Sequence, residues 1–232
     1  MKAALALCAV AAAALAAGAT APQDKEGPGY TDAFLVDEKD LATTGRNPYF
    51  ILEPGFQLVL ETPDKKETLT ITVLDETKKV GGIETRVVEE RETEDGKVKE
   101  LSRNYFAICK RTNSVYYFGE DTGGAWLHGE KGARFGLMMP GTPLVGGRYY
   151  QEVAPGAAMD RSEILSVTDT AETPAGKFET VRVDFEARRA DRPDAKPREV
   201  HAWIGTDARR LPVAMVGEAE LGPVSATLTA AR

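Results

Sequence analysis

Histidine, cysteine and tryptophan are scarce in this chain of 232 residues, with two of each. His128 and His201 lie far apart, so a histidine metal centre would need carboxylates or methionine to complete it. The cysteines are Cys8 and Cys109, and Cys8 falls in a stretch expected to be removed. Cys109 would then stand alone, which excludes an intrachain disulfide. Its setting, YFAICKR, predicts a small buried apolar residue. HExxH, GxSxG, a glycine-rich phosphate loop and CxxC are all missing, so no catalytic motif and no cofactor is expected. A basic surplus is missing too. Lys+Arg number 29 against 36 Asp+Glu, for a formal charge of −7, which argues against nucleic acid or an anionic membrane as a partner.

Beyond the first residues there is no apolar run near the ~20 residues that a membrane helix needs. The start itself, MKAALALCAVAAAALAAGATAPQ, has Lys2 as a positive n-region, an apolar run over residues 3–17, and Ala17-Gly18-Ala19 as a small-x-small cleavage site. This predicts a bacterial Sec-type signal peptide over 1–19 and a periplasmic or secreted product. Lipidation at Cys8 is disfavoured because Leu7 stands where a small residue is wanted. Residues 20–47 are polar and broken by Gly27, Pro28 and Gly29, and predict a linker with at most one short helix near DEKDLAT. Residues 48–232 predict a single domain.

What the chain has in quantity is alternation. TLTITVL (68–74) puts Leu69, Ile71 and Val73 on one face and threonines on the other, and FQLVLET (56–62) precedes it across the turn TPDKKE. The pattern recurs at 84–92, 98–108, 114–119, 148–153, 163–169, 178–187, 198–205, 211–218 and 224–230, with EDGK (94–97) and ETPAGKF (172–178) as turn signals. Short turns make successive strands antiparallel neighbours. The expectation is all-β: an antiparallel meander of about ten strands forming a barrel or strongly curled sheet, because an open one would expose edges and an apolar face. Whether its interior is hollow or filled by side chains stays open.

GARFGLMMPGTPLVGGRYYQEV (132–153) is rich in Gly and Pro and unusually apolar, and predicts a long loop tucked over one end of the sheet. Were a cavity present, Tyr116, Phe118, Trp126, Phe135, Met138, Tyr149 and Trp203 would supply a ligand-binding wall with a few polar handles. Alternation allows only one of Tyr149 and Tyr150 to face inward. Glu120-Asp121 reads as a solvated acidic turn, since a calcium loop spaces more carboxylates around a glycine. Met138, Met139, Met159, His128 and Cys109 are soft donors, but no Met-x-x-Met or Met-x-Met spacing joins them, and no metal site is expected.

ETPAGKFETVRVDF, HAWIGTDARRLPVAMVGE and GPVSATLT, with NPYFILEPGFQLVLE (47–61), resemble the exported bacterial proteins grouped as domain of unknown function 3108 and the TapB-like proteins. The resemblance covers the first hairpin and about the last sixty residues. It implies an exported β fold with no established enzymatic activity and no catalytic residues to carry over. The expected function is non-enzymatic: an envelope-associated protein holding a lipid-like or other apolar or amphiphilic small molecule. The alternatives are a scaffold that pairs a sheet edge or acidic face with an envelope protein, and a hydrolase, which would need two acidic side chains converging in a cleft.

Overall fold

The computed structural model describes residues 29–122, 125–173, 176–187, 198–205, 212–219 and 222–231. The expected signal peptide and the turns at Pro174 and 206–211 lie outside these residues. Seventeen strands follow in order: β1 (Leu41–Ala42), β2 (Gly45–Asn47), β3 (Phe50–Leu52), β4 (Gln57–Glu61), β5 (Glu67–Val80), β6 (Ile83–Glu94), β7 (Lys97–Cys109), β8 (Val115–Glu120), β9 (Trp126–Leu127), β10 (Arg134–Met139), β11 (Arg148–Tyr150), β12 (Glu152–Val153), β13 (Arg161–Thr173), β14 (Gly176–Ala187), β15 (Arg198–Gly205), β16 (Pro212–Ala219) and β17 (Gly222–Ala231). The one helical turn among the described residues is a 3-10 turn at Glu38–Asp40, within DEKDLAT.

The strands anticipated from alternation are present, except that 148–153 is divided into two short strands, β11 and β12, and the ladders are antiparallel. Across the large sheet the order is β11, β13, β14, β15, β16, β17, β4, β5, β6, β7, β8, β10, β12. Two meanders are thus joined where β4 pairs with β17, Thr227 opposite Glu61. At the other side, β11 pairs with β13 while β12, one residue further along the chain, pairs with β10. Residues 148–153 therefore tie the two ends of this strongly curled sheet together.

The strand β10 corrects one expectation: 134–139 is part of the sheet and not a loop over it. Flanking glycines and Pro140 hid a six-residue strand, and Gly136 within it is required by close approach. A Cβ there would sit on the carbonyl oxygen of Gln151.

Directly opposed residues share a face, so the register assigns the core. Leu58 stands opposite Ile71, and Leu60 opposite Leu69. With Val73, Val88, Phe106, Ile108, Val115 and Tyr117 they form the main cluster, on the face called inner below. Leu60 and Leu69 are fully buried, each contributing about 1.5–3 kcal/mol. The β2–β3 hairpin lies on this face: Ile51 and Leu52 enter the cluster and Phe50 packs on Phe106 at 5.1 Å. Asn47, wholly buried, pins it by donating from Nδ2 to the carbonyls of Asn113 (2.6 Å) and Pro140 (3.1 Å), while its Oδ1 accepts from the Tyr49 N–H.

The strand β8 and the second half of β7, from Asn104 on, are buried on both sides. Their outer face holds Tyr105, Ala107, Cys109, Tyr116 and Phe118, covered by Phe34, Val36 and Leu41 from one side and Phe135 and Leu137 from another. Within the stretch taken above as a linker, residues 30–42 run as a strap across the sheet. Thr31 exchanges backbone hydrogen bonds with Arg148 and Tyr150 (3.0 and 2.8 Å), Asp32 pairs with Arg134 (2.9 Å), and β1 joins β7.

Candidate functional site

The aromatic residues singled out from the sequence divide between the two faces. Tyr116, Phe118 and Phe135 pack together outside, Phe135 lying 5.5 Å from Tyr116 and 5.0 Å from Phe118. Trp126 and Met138 belong to the inner cluster, and Tyr149 packs with Met139, Ile164, Val181 and Val183. Trp203 is half-buried among charges: its Nε1–H donates to Asp169 (3.1 Å) and Arg182 lies over its ring. Of the tyrosine pair, Tyr149 is buried and Tyr150 packs edge-on against Tyr30. The soft donors are equally dispersed. Met138 Sδ accepts from Gln151, His128 Nδ1 accepts from the Phe135 N–H, and Cys109 is sealed in the outer cluster. Among the described residues no group of three or more His, Cys, Asp or Glu is placed to hold a metal ion.

The feature that alternation did not reveal is a row of carboxyls on the inner face. Continuing each apolar row from β5 through the register, Ile71 is followed by Glu90 and Ser102, and Leu69 by Glu92 and Glu100. Val73 is followed by Val88, Asn104, Glu120 and finally Trp126. The inner face is therefore apolar on β4 and β5, while on β6, β7 and β8 it carries carboxyls beside the apolar Val88, Phe106, Ile108, Val115 and Tyr117. Glu152 on β12, opposite Phe135, is buried at the seam.

Glu120 is 2% exposed and Glu152 4%, which corrects the reading of Glu120 as part of a solvated turn; Asp121 alone is exposed. The cause is local. Gly119, at φ +135°, lets the strand shift register between Phe106 and Tyr105, and a Cβ there would meet the Trp126 carbonyl. The residue after the shift is carried to the Asn104 side of the strand. The Tyr117 hydroxyl donates to Asn104 Oδ1 (2.6 Å) and stands 3.5 Å from Glu120 Oε2.

Burial raises the carboxyls of this row. Desolvation pushes the Glu120 carboxyl up to about 8, aided by Asp160, Glu100 and Asp121 and opposed by the hydrogen bond with Tyr117. Glu152 is raised well above the ordinary carboxylate range by burial, then by Asp160, Glu120 and Glu90. Glu92 is pushed up to about 7 by burial, then by Glu100 and Glu67. Among the described residues, the main charges acting on these three are acidic. A buried carboxylate is costly, so burial favours the protonated form of Glu120 and Glu152 at neutral pH and leaves Glu92 near its midpoint. Among the described residues, five further buried polar atoms make no hydrogen bond: Trp126 Nε1, Tyr149 OH, Ser162 Oγ, Thr122 Oγ1 and Thr180 Oγ1. Buried polar atoms without partners are uncommon in folded proteins.

Together these features define a class: an all-β protein whose curled antiparallel sheet carries an inner face that is apolar with a row of buried carboxyls. Neither the family models nor the curated proteins yield a match to the sequence. Among solved structures, a protein of Bacteroides fragilis described as exported and YmcC-like in fold is similar at TM-score 0.45 and 15% identity, over 78% of this chain and 96% of that one. A protein of Parabacteroides distasonis described as a lipoprotein is similar at TM-score 0.40 and 11% identity over the same shares. Likeness at this level carries no argument about function.

Proposed function

We propose that the chain is an exported, non-enzymatic protein of the bacterial envelope that holds an amphiphilic small molecule against the inner face of its curled sheet. The observation that carries this reading is the composition of that face. The apolar rows Leu58–Ile71 and Leu60–Leu69 run directly into Glu90 and Glu92, the row of Val73 and Val88 runs through Asn104 to Glu120, and Trp126 Nε1 is buried and unpartnered beside it. A core that served packing alone would gain stability from apolar side chains at these positions. An amphiphile would bury its chain on one part and satisfy the polar groups on the other. The leader-like first nineteen residues support export.

Native mass spectrometry and solvent extraction of protein purified from the bacterial envelope or periplasm test the reading. The expected result is a bound or accepted amphiphile, and N-terminal sequencing is expected to begin at Thr20. Protein that carries none and accepts none, but captures an envelope protein, would transfer the function to a scaffold.

A further inference from the structure

We infer that two copies of this chain pair through the free edge of β7, residues 97–102, antiparallel about a two-fold axis, so that one sheet runs on into the other. This interface is independent of the amphiphile reading. The strand β6 lies beside β7 from Lys97 to Phe106, but β8 reaches it only from Asn104 to Ile108. Among the described residues no strand stands on the other side of 97–102. Arg103 marks where the open edge begins: its N–H donates to Asp121 Oδ1 (3.2 Å) and its carbonyl accepts from the Asp121 N–H (3.1 Å). In an antiparallel ladder the backbone groups reverse direction from one opposed pair to the next. Counting back through Arg103–Glu89, Ser102–Glu90, Leu101–Arg91, Glu100–Glu92 and Val98–Thr93, the N–H and C=O of Leu101 and Val98 face the open side.

The sequence of this edge, KVKELS, is complementary to itself. Reversed against a second copy, Val98 stands opposite Leu101 and Lys99 opposite Glu100, each contact occurring twice. A two-fold axis perpendicular to the sheet needs opposed residues on one face, whereas residues three apart on a regular strand lie on opposite faces. The extra residue Lys99, where the register with β6 shifts, removes that conflict. It brings Val98, opposite Thr93, to the same outer face as Leu101, opposite Arg91. Both are large, apolar and exposed, at 53% and 43%. Lys99 reaches Glu94 (2.6 Å), which shares a face with Glu92 and hence with Glu100. Apolar surface and charge therefore match on the two faces at once. A lysine on an edge strand ordinarily guards it, because a chain pairing there must bury the charge. A second copy supplies the carboxylate. The comparable edge of β13 past Ile164 is blunted: register shifts fall on both sides of Ser166, and Ser166 Oγ and Asp169 Oδ1 take the N–H groups of Thr168 and Thr170.

Sedimentation velocity of the mature chain, with amide hydrogen exchange at the same concentrations, reads the pairing. Two short edges bury less than the roughly 1,200 Å² at which stable interfaces begin, so a weak dimer is expected, with a dissociation constant on the order of 10–100 μM. Exchange at Val98 and Leu101 slows as the concentration rises. K99E and E100K each set like charges opposite one another twice and are expected to weaken the dimer about tenfold. Mixed in equal amounts, the two variants restore it, because every charge contact of the mixed pair is then between opposite signs. Several outcomes overturn the inference: a chain that stays monomeric to about 500 μM, a dimer indifferent to both variants, growth beyond two copies, or protection of Val98 and Leu101 that appears only with added envelope extract. Circular dichroism shows whether each variant folds, and where one does not, exchange at Val98 and Leu101 in the unaltered chain decides. None of these outcomes bears on the amphiphile reading.

Discussion

Replacing Glu92 by glutamine tests the buried carboxyl row. Glu92 sits between Leu69 on β5 and Glu100 on β7, with its carboxyl pushed from 4.5 to about 7 by burial and by Glu100 and Glu67. In the unfolded chain the group titrates near its ordinary value. The folded form therefore binds the proton more tightly, and its stabilising contribution is complete below pH 4.5. That contribution is lost as pH rises toward 7 and is gone above it. Each unit of difference is worth about 1.4 kcal/mol, so ionisation removes about 3 kcal/mol between pH 4 and pH 8. The amide of Glu92→Gln does not titrate. Urea unfolding in steps of one pH unit from 4 to 9 is expected to show the two proteins close together at pH 4 and the variant ahead by roughly 2–3 kcal/mol at pH 8. Curves that stay parallel across the range would refute the claim that Glu92 is buried without countercharge.

Other substitutions probe the frame. Asn47→Ala removes two donations to the carbonyls of Asn113 and Pro140 and the acceptor for Tyr49 N–H; a loss of about 2–3 kcal/mol is expected in denaturant unfolding, with faster amide exchange in the β2–β3 hairpin. Gly136→Ala places a methyl on the Gln151 carbonyl and is expected to cost on the order of 3 kcal/mol or more, read as a lowered melting temperature. Tyr117→Phe leaves Asn104 Oδ1 without its 2.6 Å donor and is expected to cost about 1–2 kcal/mol. Arg46→Ala breaks an exposed pair with Glu53 and is expected to change stability by less than about 1 kcal/mol, a control against which the buried changes are read.

The two-residue rhythm by itself determined the fold class and eleven strand positions, because a half-buried strand must alternate whichever neighbour it finds. The same rhythm at 69–73 placed Leu69, Ile71 and Val73 on the buried face. It had no purchase on β1, β2, β3 and β9, which are two or three residues long, or on β10, where Gly136 and the paired Met138–Met139 break the alternation. Nor could it show that 30–42 straps the sheet, since the apolar run AFLV (33–36) and Leu41 are too short to alternate and stand in a polar stretch.

The candidate site was less legible for a definite reason. Glu90 and Glu92 read as outward charges because glutamate on a strand ordinarily faces water, and Glu120 because it adjoins Asp121 and a glycine. Only pairing shows that Glu92 lies opposite Leu69 and that the Gly119 shift carries Glu120 to the inner side. The tertiary structure also decided that β4 meets β17 and that residues 148–153 hold both ends of the sheet. Alternation is a property of neighbours in the chain, whereas facing, closure and the absence of a countercharge are properties of residues tens of positions apart. Those are set by which strands find one another, and that is where the chemistry of this protein resides.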